Sequence, residues 1–193
     1  MLNVAADAVT ALCILAMLAA ITFSFLNNPS GRAFRERHSP VATASMAGFF
    51  VLLYGTIRFR WGALHTEDFD VLRVAGLILM LWGTAFNIWG RIHLKSNWAD
   101  HVRIYEDQQL ITTGPYRIVR HPLYASLIWM FYGASMAYLN PLAALENTVL
   151  FLPAMIYRSN LEEQALLNRF GDAYALFRNG TGRFVPRIGP VKQ

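Results

Sequence analysis

The sequence between residues 123 and 157 reads LYASLIWMFYGASMAYLNPLAALENTVLFLPAMIY. Two apolar blocks, Leu123–Leu139 and Pro141–Tyr157, are separated only by the Asn140-Pro141 junction. Proline is tolerated at the start of a helix but not in its interior, because it lacks a backbone N–H and its ring clashes with the preceding turn. The segment therefore predicts a helical hairpin, 123–157, with a tight turn at Asn140-Pro141.

Three further apolar blocks precede the hairpin, at Ala5–Leu26, Pro40–Ile57 and Val71–Trp89. Hydrophobic residues make up 55% of the 193-residue chain and charged residues only 15%, which is more apolar material than a small soluble domain buries. A helix of about 20 apolar residues crosses the hydrocarbon core of a bilayer. The composition therefore predicts an all-α, polytopic integral membrane protein with five transmembrane helices.

The first block has an alternative interpretation as a cleaved signal peptide. It lacks a basic leader, contains Asp7 and precedes four more apolar blocks, so we expect a transmembrane helix instead. Cys13 lies within it and is the only cysteine in the chain. An intramolecular disulfide is therefore excluded, and we expect a small core residue at this position.

The basic residues follow particular loops, although the net charge of +5 would by itself suggest nucleic acid as a partner. Most of the 17 Lys and Arg residues lie after the first block, after the third block or after Tyr157. The loop between the second and third blocks is acidic by comparison. Since cytoplasmic loops carry the excess of Lys and Arg, the distribution predicts an N-terminus outside, a cytoplasmic C-terminus and no nucleic-acid partner.

The chain is expected to form a single membrane domain, residues 1–193, in two parts. Residues 1–90 read as a three-span scaffold with small residues for close helix packing at Ala42, Ala44, Ala47 and Gly48. Arg73, near the start of the third block, is expected to reach the outer interface. Residues 91–193 hold the polar stretches and are predicted to form a cytoplasmic cofactor-binding and catalytic region.

Two polar segments of this second part are candidates for a site. The loop from Arg91 to Leu123 is longer than a simple connector and keeps aromatic residues that argue against disorder. The segment from Arg158 to Phe177 has helical periodicity that Gly171 interrupts, and the tail from Thr181 onward is expected to be irregular. A hairpin brings its two ends to the same membrane face, so the two segments should be neighbours.

Several kinds of site are absent from the sequence. It contains no dinucleotide fingerprint and no phosphate loop, because the glycines of the tail lack the strand and helix that such motifs need. No cysteine pair exists, and His93 and His101 lack the partner spacing of a zinc site. We therefore predict no metal.

The run from Gly114 to Tyr124 reads GPYRIVRHPLY, and Glu162 and Glu163 follow the hairpin. Ordinary interface anchoring explains the first run, and a surface ion pair between Arg158 and Glu162 explains the second cluster, when each is taken alone. Together they resemble the isoprenylcysteine carboxyl methyltransferases and related membrane methyltransferases. The motifs that carry the resemblance are Gly114-Pro-Tyr116, Arg120-His-Pro-Leu-Tyr124, Glu162-Glu163, Phe170-Gly-Asp-Ala-Tyr174 and Thr181-Gly-Arg-Phe-Val-Pro186, within Asn97 to Pro186.

The resemblance implies S-adenosylmethionine as the cofactor and a lipophilic or prenylated acceptor taken from the lipid bilayer. It implies catalytic roles for Arg158 and Glu162, with Arg158 binding the acceptor and Glu162 pairing with the ammonium of the cofactor. The cofactor-binding residues that it implies are His101, Gln108, Gln109, Leu110, Ile111, Tyr116, His121, Pro122, Leu123, Tyr124 and Glu162.

The reaction implied is carboxyl O-methylation of a C-terminal S-isoprenylcysteine or of a similar lipid-like acceptor. Alternatives are N-methylation of a phospholipid or S-methylation of a thiol, either of which requires deprotonation and makes Glu163 or His121 a candidate base. A nicotinamide-dependent membrane sterol or enone reductase has a similar C-terminal architecture. A scaffold without enzymatic activity is the remaining interpretation.

Overall fold

The computed structural model describes residues 2–27, 40–64, 66, 68–94 and 110–188. Within these ranges the chain is helical, and one isolated parallel bridge joins Val119 to Gly182. The predicted all-α class is therefore confirmed. The elements are α1 (Leu2–Asn27), α2 (Pro40–Arg58), α3 (Asp70–Leu94), a 3₁₀ turn (Gly114–Arg117), α4 (Pro122–Ala137), α5 (Pro141–Glu146), a π-helical segment (Asn147–Phe151), α6 (Leu152–Phe170) and α7 (Asp172–Gly180).

Two of these helices are long and apolar enough to cross a membrane, over Leu2–Ser24 and Asp70–Leu94. A shorter apolar helical stretch lies at Gly48–Arg58. This test concerns length and composition in the described part of the chain. The five-span count therefore stays a prediction.

The hairpin turn lies where the sequence predicts it. Asn140 caps α5, since its side-chain oxygen accepts a hydrogen bond from the Ala143 N–H at 3.0 Å, and Pro141 occupies the first helical position. Helix α2 joins the hairpin near the turn, where the Thr56 hydroxyl donates to Glu146 Oε1 at 2.7 Å. The returning helix does not end near Tyr157 as the apolar block does, but continues to Phe170.

The returning helix buries one residue in every four. The buried positions are Ala143, Asn147, Phe151, Met155, Ser159 and Glu163. In a straight α-helix with 3.6 residues per turn, a four-residue spacing drifts by about 40° at each step. The π-helical segment Asn147–Phe151 has a wider turn and offsets part of this drift. The buried positions of the apolar first half and of the polar second half therefore stay closer to one face than they would in an uninterrupted α-helix.

Helices α3 and α4 approach each other through glycines. A Cβ atom on Gly76 would lie 2.5 Å from the Gly133 carbonyl oxygen, and one on Gly83 would lie 2.5 Å from the Met130 side chain. Gly90 lies seven residues after Gly83, as Gly83 does after Gly76, and a Cβ atom on Gly90 would lie 3.7 Å from the Pro122 side chain. By contrast, no described atom lies within 4 Å of a Cβ atom placed on Gly48 of α2, and the close packing expected there stays a prediction.

Helix α1 packs on this pair. Cys13 and Met17 of α1 join Met80 and Met130 in one buried cluster, so Cys13 is the core residue that the sequence predicts. Arg73 was expected to reach the outer interface. Its side chain is instead buried, and its guanidinium donates hydrogen bonds to the Ala137 carbonyl and to Asn3. The charge thereby joins the start of α1 to the end of α4.

Candidate functional site

The 3₁₀ turn Gly114–Arg117 packs against the last turn of α3. Gly114 has a φ of 58°, in the left-handed region that glycine adopts without strain. A Cβ atom at this position would lie 2.3 Å from the His93 ring, so a side chain has no room between the turn and the helix. Tyr116, two residues later, is thereby held beside the end of α3.

The start of α4 is held by the C-terminal tail. Val119 is fully buried and bridges to Gly182, and the N–H groups of Arg120 and His121 donate to the carbonyls of Gly182 and Arg183 at 2.8 and 3.2 Å. The sequence predicts an irregular tail, but near Gly182 the tail forms backbone hydrogen bonds with the start of α4. These bonds hold His121, the residue before α4, in a defined position.

Glu163 of α6 accepts hydrogen bonds from three cationic side chains, and we call this group the Glu163 cluster. Its Oε1 atom lies 2.9 Å from Arg120 Nη2, 3.2 Å from His121 Nε2 and 3.4 Å from Arg183 Nε. The Glu163 side chain is only 5% exposed. A buried carboxylate with this many donors is a structural anchor between α4, α6 and the tail.

Glu162, the neighbouring carboxylate, has different partners. Its Oε2 atom lies 3.3 Å from His121 Nδ1, and its Oε1 atom accepts a hydrogen bond from the Tyr124 hydroxyl. The Glu162 side chain is 28% exposed, against 5% for Glu163. Of the two carboxylates, Glu162 is therefore the one that a ligand can reach.

His121 lies between the two carboxylates. Burial opposes its charged form, yet the hydrogen bonds and charges of Glu162 and Glu163 raise the pKa of the imidazole above its ordinary 6.5. Burial also opposes the charged form of Glu163, but His121 and Arg120 lower the pKa of that carboxyl from 4.5 to about 2. Both ring nitrogens of His121 face carboxylates, so the ring in its protonated form can donate two hydrogen bonds.

Arg158 lies one helical turn before Glu162 and faces the same aromatic ring. Its guanidinium carbon is 5.9 Å from the centroid of the Tyr124 ring, within the range of a cation–π contact. The Tyr124 ring stacks on His121, with centroids 5.7 Å apart and planes inclined by 12°. Arg158, Tyr124, His121 and Glu162 therefore form one continuous surface beside the Glu163 cluster.

Comparison with known proteins places the chain in a family. The sequence profile described as phospholipid methyltransferase matches residues 71–173, which is more than half of the chain. The chain belongs to the phospholipid methyltransferase family. Membership identifies it as a membrane methyltransferase, and the matched range includes α3, the hairpin and both glutamates.

A solved structure with a similar fold is that of the eukaryotic intramembrane Ras methyltransferase, isoprenylcysteine carboxyl methyltransferase. The TM-score is 0.66 and the sequence identity 24%, with 97% of this chain and 67% of that chain covered. At this identity the likeness concerns the fold. No curated protein matches the sequence. The relationship to isoprenylcysteine carboxyl methyltransferases that the motifs indicate is confirmed at the level of the family.

The structure of this phospholipid methyltransferase family member brings many of the predicted site residues together. His121, Tyr124, Arg158 and Glu162 are mutual neighbours through the contacts above. Three more lie close by in the chain: Tyr116 in the 3₁₀ turn, and Pro122 and Leu123 in the first turn of α4. Leu110 and Ile111 lie in partly buried, irregular chain before the turn. His101, Gln108 and Gln109 lie outside the described residues.

The sequence interpretation missed the part that Glu163, Arg120 and Arg183 play together. Glu163 was expected only as a base for an amine or thiol acceptor, yet its contacts are those of an anchor. The three residues lie far apart in sequence and meet only through the hairpin and the tail. Each of the three residues belongs to one of the recognised motifs, so the sequence did mark them individually. Which motif contacts which could not be inferred from the sequence.

Proposed function

We propose that the chain is an S-adenosylmethionine-dependent methyltransferase that acts on a lipophilic acceptor at the cytoplasmic face of the bilayer. The observation that carries the proposal is the contiguous surface of Arg158, Tyr124, His121 and Glu162. This surface combines an accessible carboxylate, an arginine one turn away and aromatic walls, which are the groups needed to align a polar cofactor with an acidic acceptor.

The residues fit the cofactor. Glu162 is partly exposed, so it is the carboxylate available to pair with an ammonium group, whereas Glu163 is enclosed by three cations. When bound, the cofactor supplies a sulfonium methyl group for in-line displacement. The remaining cofactor-binding residues of the proposal are His101, Gln108, Gln109, Leu110, Ile111, Tyr116, His121, Pro122, Leu123 and Tyr124. Backbone groups among Gln109 to Ile111 are proposed to bind the adenine edge.

Arg158 is proposed to bind the acceptor. A guanidinium holds a carboxylate by two parallel hydrogen bonds, which fixes its orientation. A carboxylate with a reference pKa of roughly 3 to 4 is already ionised at neutral pH, so no base is required. The site then supplies alignment and excludes water, while the acceptor chain stays in the lipid.

Local charge supports an anionic acceptor. Four cationic groups, Arg120, His121, Arg158 and Arg183, lie around two carboxylates. Among the described residues of the site, this excess of positive charge favours an acceptor that is an anion. We therefore propose carboxyl O-methylation of a C-terminal S-isoprenylcysteine or of a similar lipid-like acceptor.

The family description favours one alternative, N-methylation of a phospholipid. This acceptor is an amine that must lose a proton, and His121 in its neutral form, between Glu162 and Glu163, is the candidate group to take it. A thiol acceptor needs the same step. A nicotinamide-dependent reductase serves as the contrast in the binding test below.

The proposal includes a topology of five spans with the N-terminus outside and the C-terminus cytoplasmic. Residues 1–90 form the scaffold and residues 91–193 carry the cofactor-binding and catalytic region of one membrane domain. This arrangement gives a cofactor from the cytosol and an acceptor from the bilayer access to one interfacial site.

The test is calorimetric titration of the detergent-purified protein with S-adenosylhomocysteine, with a nicotinamide cofactor as control. We expect micromolar binding of the first ligand and none of the second, and the opposite pattern contradicts the proposal. Transfer of a labelled methyl group to N-acetyl-S-farnesylcysteine or to phosphatidylethanolamine vesicles then distinguishes the acceptors. Labelling of the phospholipid alone overturns carboxyl methylation and retains the methyltransferase.

A further inference from the structure

The methionine part of the proposed cofactor is a zwitterion, so a cation near Glu162 would complement its carboxylate as Glu162 complements its ammonium. In the site described above, Arg120 and Arg183 bond to Glu163, and Arg158 is proposed to bind the acceptor. None of these arginines is assigned to a carboxylate on the cofactor. Helix α3, which borders Tyr116, carries a further cation, Arg91, in its last turn.

Arg91 lies in the last turn of α3, outside the sequence motifs, and its guanidinium is held in place. Its Nε atom donates to Asn87 Oδ1 at 2.9 Å. Asn87 is fully buried and donates from Nδ2 to Ser126 Oγ at 2.7 Å and to the Leu123 carbonyl at 3.2 Å. This chain of hydrogen bonds fixes Arg91 relative to the first turn of α4.

The end of α3 lies directly against the predicted cofactor-binding residues. A Cβ atom on Gly90, the residue before Arg91, would lie 3.0 Å from Leu123 Cδ2. On the other side, His93 packs on Gly114 at the start of the turn that carries Tyr116. Arg91 therefore lies in the part of α3 that packs against both the 3₁₀ turn and the first turn of α4.

Arg91 and Glu162 act on the same hydroxyl group. Burial raises the pKa of the Tyr116 hydroxyl above its ordinary value, the Glu162 charge adds to this rise and the Arg91 charge opposes it. Both charges are therefore within electrostatic reach of Tyr116. An anion and a cation that share one neighbour form a suitable pair for the two ends of an amino-acid zwitterion.

We propose that Arg91 binds the carboxylate of the cofactor's methionine part while Glu162 binds its ammonium, with Tyr116 beside both. This inference rests on the proposed function, because it assigns a residue to the cofactor of that function. The guanidinium is oriented by Asn87 through Nε, and a guanidinium can hold a carboxylate by two parallel hydrogen bonds. Arg91 thereby selects ligands that keep the amino-acid carboxylate.

The test compares two ligands by calorimetry on detergent-purified protein. One is S-adenosylhomocysteine, and the other is the analogue in which hydrogen replaces its carboxylate, so that the amine remains. For Arg91→Gln we expect the affinity for S-adenosylhomocysteine to fall ~10- to 100-fold, as for loss of a charge-assisted hydrogen bond. The affinity of this variant for the analogue is expected to match that of the wild type.

Two further variants complete the test. Arg58→Gln makes the same change of charge at the exposed end of α2 and should leave both affinities unchanged. Arg91→Lys keeps the charge without the two-point contact, and a smaller loss, confined to S-adenosylhomocysteine, is expected; this variant serves if Arg91→Gln does not fold.

The outcomes separate the inference from the function. Equal losses for the two ligands, or no loss for either, overturn the role of Arg91 while binding by the wild type keeps the methyltransferase proposal. Absence of S-adenosylhomocysteine binding by the folded wild type overturns both.

Discussion

Replacing Glu163 by glutamine removes the charge that Arg120, His121 and Arg183 share. The amide keeps the size of the side chain and can still accept a hydrogen bond, so the change is mainly one of charge. Because Glu163 is only 5% exposed, solvent compensates little of the loss. We expect Glu163→Gln to lower the free energy of unfolding more than the same change at a partly exposed glutamate.

The size of the effect follows from the pKa of Glu163. Its fall from 4.5 to about 2 corresponds to ~3 kcal/mol of stability at about 1.4 kcal/mol per pH unit. For a chain of this length, ~3 kcal/mol lowers the midpoint of thermal unfolding by roughly 6 to 12 °C. The Glu163 pKa is lowered by folding, so this stability is present above about pH 4.5 and is lost as the pH falls through about 2.

The assay is thermal unfolding of wild type and variant in one detergent, at pH 7 and at several pH values below 4.5. The gap between their midpoints should be largest near neutral pH and should narrow on acidification. Glu162→Gln is the matched control, because Glu162 is 28% exposed and has fewer cationic partners, and a smaller gap is expected. Equal gaps for the two variants, or a Glu163→Gln gap that persists at low pH, refute the anchoring role.

Three further predictions concern the ligands and the helix packing. Arg158→Ala should keep S-adenosylhomocysteine affinity within a few-fold in calorimetry and abolish methyl transfer; retained turnover contradicts its role with the acceptor. Glu162→Ala should weaken that affinity by at least ~10-fold, and an unchanged dissociation constant contradicts pairing with the ammonium. Gly133→Ala should destabilise the protein by ~1–3 kcal/mol, because its Cβ would lie 2.7 Å from the Gly76 carbonyl oxygen. Gly48→Ala is its control, because no described atom lies within 4 Å of the added Cβ, and it should not lower the unfolding midpoint.

Local sequence signals predict the helices and the turn well. The Asn140-Pro141 junction and Gly171 mark helix boundaries through the restricted backbone of proline and the permissive backbone of glycine. The recognised motifs likewise bring His121, Tyr124 and Glu162 into one candidate site. These features depend on residues within a short stretch, or on a hairpin that the sequence itself indicates.

Contacts between distant segments could not be predicted in the same way. The glycine packing of α3 on α4 depends on which faces meet, although the seven-residue spacing of Gly76, Gly83 and Gly90 was a readable signal. The tail was expected to be irregular because two prolines follow, but backbone bonds between Gly182 and the start of α4 override this composition. Arg73 was assigned to the interface from its place in the chain, whereas helix packing buries it.

The π-helical segment Asn147–Phe151 lies inside the returning helix, so the directions of the side chains beyond it depend on how many residues precede them. Deleting Val149 would convert the segment to an ordinary α-helix with little rotation beyond it, because five π-helical residues turn about as far as four α-helical ones. Deleting the exposed Ala154 from the α-helix that follows would instead turn everything beyond it by about 100° about the helix axis. Arg158 and Glu162 would then point away from Tyr124 while the helix itself stayed intact. The deletion should yield a helical protein by circular dichroism that no longer binds S-adenosylhomocysteine, so the chain length before the site, and not only the side chains in it, determines function.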